Sequence, residues 1–209
     1  MQVSRARVTL LGAILGLAWG AGLRGWMAVI AGGSSSFTWS GTFVAILLPS
    51  TLVGAALGWA EHARRTGGRG AWRWTALTPL LFVVMSALVQ DNLVPRLVRT
   101  GIGGAQIGIA LIGIIGGYAL SGRGPRWARL VSRAIMAASV VAAVPAFGSG
   151  FGPRLAPTAP AGAFALLTFV VFSGLLAGAC AIPHLPAQHA IAASNSRPQL
   201  ARHSQGGST

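Results

Sequence analysis

The sequence predicts an all-α fold, a polytopic membrane bundle of about six helices, and three observations predict it. Apolar runs of about 20 residues recur along the chain, each long enough to cross a hydrocarbon core of about 30 Å. Only 9% of the 209 residues are charged and 53% are hydrophobic, with a mean hydropathy of +0.66; a soluble domain carries about 25% charged residues. The sixteen basic residues are all arginine, and most of them collect in short segments between the runs, the pattern that positive-inside topology leaves. This leaves room for one membrane domain, 1–186, and for no sizeable soluble one.

The first span is expected at 8–30, behind Arg5 and Arg7. Its start imitates a secretory signal, with small residues at 18–21, but the apolar character resumes beyond Arg24 through Ile30 and makes the segment long enough to span. Further spans are expected at 43–60, 74–89, 102–120, 130–147 and 161–182. The fifth is the weakest, because Arg133 shortens its apolar core and Pro145 lies near its far end. With the N-terminus inside, twelve arginines (5, 7, 64, 65, 69, 73, 123, 126, 129, 133, 197, 202) fall on the cytoplasmic side and three (96, 99, 154) outside. That bias assigns an N-in, C-in orientation. From about Ala187 the chain turns polar without apolar periodicity, so 187–209 reads as a disordered cytoplasmic tail.

Glycines recur every fourth residue at Gly12, Gly16 and Gly20, and the next position in that series is Arg24. This spacing keeps them near one helix face, and small residues let backbones approach closely in lipid. Gly54 and Gly58, Gly113 and Gly117, and Gly174 and Gly178 repeat the spacing in other spans, so all nine are expected to pack helices.

Arg24 is the unusual chemistry of the first span. A charge at membrane depth costs about 2.5–3.5 kcal/mol on insertion scales, and faces protein or a wet cavity. The two carboxylates of the chain are Glu61 and Asp91, and Asp91, at the outer end of the third span, lies at a depth comparable to Arg24. A bidentate Arg–Asp pair would answer the cost. Three readings stay open: a structural pair locking two helices, an outward-facing polar pocket that binds a ligand through Arg24, Trp26, Ser36, Thr38, Trp39, Ser40, Gln90, Asp91 and Asn92, or an Arg24 that simply snorkels to the outer interface. In the second, Arg24 attracts an anionic group and the tryptophans offer apolar walls. Interface anchoring accounts for tryptophans near span ends without any function.

Other chemistry finds few candidates. Cys180, the lone cysteine, lies in an apolar run and reads as a buried thiol. Glu61 and His62 are adjacent and lack the i, i+4 geometry of a helical zinc site; no metal and no cofactor is expected. The net charge of +14 comes from loops rather than from a basic groove interleaved with aromatics, so nucleic acid is not an expected partner. With two carboxylates and no catalytic motif, an enzyme is disfavoured and no catalytic residue is assigned.

The pattern W-G-x-x-x-R-x-W-M at 19–27, followed by F-T-W-S-G-T at 37–42, resembles a group of uncharacterised multi-pass membrane proteins from actinobacteria. The likeness covers about the first sixty residues and implies a bacterial plasma membrane, but brings no activity and no site residue. The expected function is a small transporter or channel-like protein, its partners the lipid bilayer and an anionic small solute or lipid. The alternatives are a structural or assembly protein, binding copies of itself or another membrane protein through glycine seams, and a membrane-embedded enzyme acting on a lipid.

Overall fold

The computed structural model describes residues 4–35, 37–67, 70–89 and 104–187. Among the described residues it is a helical bundle of six passes, with no strand. The first pass is α1, Arg5–Ala31. The second opens as a π-helix, Ser40–Leu47, and continues as α2, Leu48–Arg65. The third opens as a 3₁₀ helix, Ala71–Leu80, and continues as α3, Leu81–Val89. Then follow α4, Gly104–Leu120, α5, Arg126–Phe151, and α6, Pro160–Ala181. Five of the passes are long and apolar enough to cross a membrane, and α4 is shorter. The expected tail lies outside the described residues from 188 onward, as do 102 and 103 at the head of the fourth expected span.

Local chemistry explains where the passes begin and end. The Ser4 hydroxyl caps α1 by accepting from the Arg7 amide at 3.4 Å. Gly32, at φ +57°, ends the helix, and its amide turns back to the Ala28 carbonyl; a left-handed φ at this position favours glycine. The third pass is short in residues but not in reach. Ten residues of 3₁₀ helix at about 2.0 Å each and nine of α-helix at about 1.5 Å give about 33 Å, enough for the hydrocarbon core. Arg133 and Pro145, which weaken the fifth span in the sequence, both lie within an unbroken 26-residue helix. The Arg133 guanidinium donates to the Ala119 carbonyl at 3.3 Å, so it serves the end of α4 rather than entering lipid unaided.

Glycine decides how α1 meets α2. A Cβ added at Gly12 would stand 3.0 Å from the Gly58 Cα, and one at Gly16 3.0 Å from the Gly54 Cα. In return, a Cβ at Gly54 would stand 2.9 Å from the Gly16 Cα, and one at Gly58 2.5 Å from the Val8 carbonyl. Gly20 continues the seam against the Ser50 side chain, whose hydroxyl donates to the Ile46 carbonyl at 2.6 Å. The pairing runs upward in α1 and downward in α2, so the helices are antiparallel. Gly113 and Gly117 bring α4 equally close to Pro79 and Cys180. Gly174 and Gly178 depart from the expectation: no atom lies within 4 Å of an added Cβ at either, and both are exposed. The α6 face that closes on α4 carries Ala177 and Cys180 instead, which leaves these two glycines pointing away from the bundle.

Two apolar clusters complete the interior. Val53, Leu57, Phe82, Leu176 and Cys180 join α2, α3 and α6, with Trp19 packed against them. Phe147, Leu155 and Ala165 join α5, α6 and the turn at 153–155, with Trp26, Ile30 and Phe169 alongside. Large apolar side chains such as Leu15, Leu130 and Val141 remain mostly exposed. Patches on this scale mark contact with lipid or another apolar surface, and the bundle is that of an integral membrane protein.

Candidate functional site

The outer site is built on the last turns of α1 and the first turn of the second pass. Arg24 lies seven residues before the end of α1, about 10 Å below it at 1.5 Å per residue. It is half-buried, and its Nε–H points to the Thr42 hydroxyl oxygen at 3.4 Å, a long hydrogen bond. Thr42 is buried and belongs to the π-helical opening of the second pass, Ser40–Leu47. Thr38 holds that opening in place: its hydroxyl accepts from the Gly41 amide at 3.2 Å, and its carbonyl from the Thr42 amide at 2.9 Å. π-Helical turns are rare and frequent at functional sites.

The expected pocket residues divide into three groups. Thr38 and Ser40 lie at this opening, which Arg24 meets through Thr42. Trp39 stands apart from it, 73% exposed, stacked on Phe43 with ring centroids 4.7 Å apart and with Phe37 edge-on; this aromatic trio has the form of an interface anchor. Trp26 is committed to packing. Its indole N–H donates to the Ala165 carbonyl at 2.9 Å, and its ring sits 6.1 Å from both Phe147 and Phe169. Ser36, Gln90, Asp91 and Asn92 lie outside the described residues, and with them the expected Arg24–Asp91 pair.

Two residues at this end escaped sequence reasoning. Thr42 falls four residues after Thr38, a spacing that places both on one helix face and could have flagged it. Arg154, in the Gly/Pro-rich loop before α6, donates to the Val29 carbonyl and lies over Gly32, where its guanidinium atoms stand 3.1–3.3 Å from an added Cβ. It thus caps the C-terminal end of α1, where a cation also complements the helix dipole.

The opposite, arginine-rich end has a different construction. Glu61 is the single carboxylate among the described residues, and it is only 15% exposed. Arg64 grips it with two hydrogen bonds of 2.8 Å, and Arg65 adds one of 2.6 Å. Arg64 also donates to the Pro186 carbonyl at 3.1 Å, tying α2 to the end of the sixth pass. The Arg5 guanidinium lies over the Trp59 ring at 5.9 Å. Among the described residues no group of three His, Cys, Asp or Glu side chains could hold a metal. No protein-family model matches the chain, and no curated protein or solved structure matches it either.

Proposed function

We propose that the chain is a small transporter or channel-like protein of the bacterial plasma membrane, N-in and C-in, with an outward-facing site that receives an anionic solute. One observation carries this reading: a half-buried arginine at membrane depth meets the hydroxyl of a buried threonine where a π-helix opens the neighbouring pass. A guanidinium at this depth brings a fixed positive charge and paired N–H groups to the opening, and bidentate binding of carboxylate or phosphate is the chemistry it suits best. Asp91, at comparable depth in the sequence-based topology, would balance the site when no solute is bound.

Two observations weigh against the alternatives. Seven of the nine expected packing glycines close on helices of this same chain, so most of the seams are not offered to a partner. A lipid-directed enzyme working through Glu61 would need that carboxylate free to exchange protons, and two arginines hold it.

The test places a cysteine at Ala28, one turn beyond Arg24 on the same face of α1, in a Cys180→Ala background. An impermeant thiol reagent added from outside is expected to label it, and phosphate, sulfate or acetate, tried separately, to slow the labelling with Arg24 present but not in Arg24→Leu. Absence of labelling, or labelling indifferent to all three anions, rejects the site. The protecting anion is then offered to proteoliposomes; protection without entry rejects transport.

A further inference from the structure

A well-formed cavity lies away from Arg24, on the other half of the bundle, and it is independent of the outer site. It holds about 410 Å³ between α1, α2 and α6, with Phe82 of α3 at its back. Its origin is visible in how α1 meets α6. The Trp19 indole N–H donates to the Phe172 carbonyl at 3.2 Å, and Trp26 bonds Ala165 one heptad further out. Both ties lie in the outer half. Toward the arginine-rich end the glycine seam holds α1 against α2, nothing of this kind holds it against α6 among the described residues, and the two helices leave a groove between Leu11 and Leu15 on one wall and Leu175 and Ala179 on the other. Leu11, Leu15 and Leu175 are largely exposed along it.

The groove's length, width and charge fit one occupant. It extends from Val8, Glu61 and Ile182 at the mouth to Trp19 at the closed end. Eleven residues of α1 at about 1.5 Å each make it about 16 Å deep, about half of a hydrocarbon core of about 30 Å and so the depth of one leaflet. The slot opens between single rows of side chains, Leu11 and Leu15 on one wall and Leu175 and Ala179 on the other, on a face turned to lipid. The residues after Ala187 carry no apolar run and do not suit the lining. The lining is apolar along its length, and at the mouth Glu61 is paired with Arg64 and Arg65, while Arg5 lies over Trp59, two residues before Glu61 on α2. Basic residues at a membrane surface attract anionic lipid.

We propose that this groove binds one acyl chain of an anionic phospholipid drawn from the leaflet at the arginine-rich end, with its phosphate on the arginines at the mouth. The chain lies against Leu15 and Leu175 and ends at Trp19. Arg5 and Arg65, the more exposed of the cations, meet the headgroup, while Arg64 stays with Glu61.

The experiment uses the full chain, reconstituted in nanodiscs of phosphatidylcholine and phosphatidylglycerol in equal amounts and released into mild detergent for native mass spectrometry. One phosphatidylglycerol is expected to remain on each chain. Ala179→Phe fills the groove from its wall and should remove more than half of the retained lipid. Leu175→Trp, which adds bulk from the exposed rim, should do the same and decides the matter if the first variant does not fold. Arg5→Gln and Arg65→Gln should each lower the preference for phosphatidylglycerol over phosphatidylcholine about fivefold, the factor expected for one basic residue at an anionic surface. Retained lipid unchanged by a folded groove-filling variant overturns the proposal. So does equal retention of the two lipids, no retained lipid at all, or a dimer that disappears with the groove-filling variants while lipid does not.

Discussion

The two halves of α1 are held to the bundle by opposite means. Toward Arg5 the contact is backbone on backbone at Gly12 and Gly16, and Gly20 meets only the small Ser50 side chain. Toward Gly32 the contact is made by large or charged groups, with Trp26 on Ala165, Arg24 on Thr42 and Arg154 on Val29. The comparison teaches where the helix is brittle. A glycine seam has no rotamers to adjust, so any added volume must move a helix, and interiors accommodate extra volume poorly. The outer half is a set of separable ties, each worth about a hydrogen bond.

The sharpest way to break the comparison is to give the seam a side chain. Gly16→Leu should cost about 3 kcal/mol or more, since an added Cβ already crowds the backbone of both Gly54 and Ser50 and overpacking typically costs about 1–3 kcal/mol. The expected result is loss of the monodisperse protein or a large fall in Tm in detergent. Gly174→Leu, on the open face of α6, is the control and should stay within about 0.5 kcal/mol. Equal sensitivity at both positions would mean that the α6 face is also packed, against a partner.

The next effect is smaller. Trp26→Phe keeps a ring between Phe147 and Phe169 but removes the indole N–H that reaches the Ala165 carbonyl across the helices. A lost hydrogen bond of this kind is worth about 1 kcal/mol, read as a modest fall in Tm. Trp39→Phe, in the exposed trio, should change stability far less. If Trp39→Phe matters as much, the trio is not an interface anchor and belongs to a packed contact.

These contrasts also mark what the sequence could and could not say. The six passes were legible because spanning a bilayer is a demand on length and composition, which a linear sequence displays. The seam of Gly12, Gly16 and Gly20 was legible because four-residue spacing defines a face. The partner of a face is not contained in that spacing, so Gly174 and Gly178, spaced identically, looked the same and face away. Trp26 looked like a pocket wall because its true acceptor, the Ala165 carbonyl, lies 139 residues away. The groove was not legible at all, since it arises where α1 leaves α6, a matter of relative helix placement.

Two charge substitutions sharpen the comparison at its weakest level, and salt separates them. Arg154→Gln removes the cation at the C-terminal end of α1 and should cost about 0.3–1 kcal/mol, with the loss shrinking as salt screens the helix dipole. Glu61→Gln acts at the opposite end and has two consequences of opposite sign. It removes the ion pairs to Arg64 and Arg65, but the isosteric amide can still accept from the guanidinium groups, so the loss is held to about 1 kcal/mol. It also leaves the arginines at the groove mouth without a carboxylate. In detergent without anionic lipid, the variant should therefore be slightly less stable than the parent, and most so at low salt, where unbalanced charge is least screened. In phosphatidylglycerol nanodiscs the order should reverse, because the added positive charge strengthens the hold on the headgroup. A variant that is less stable in both media, by the same amount, would show that Glu61 does no more than join its two arginines. The groove mouth would then have no electrostatic stake in which lipid surrounds it.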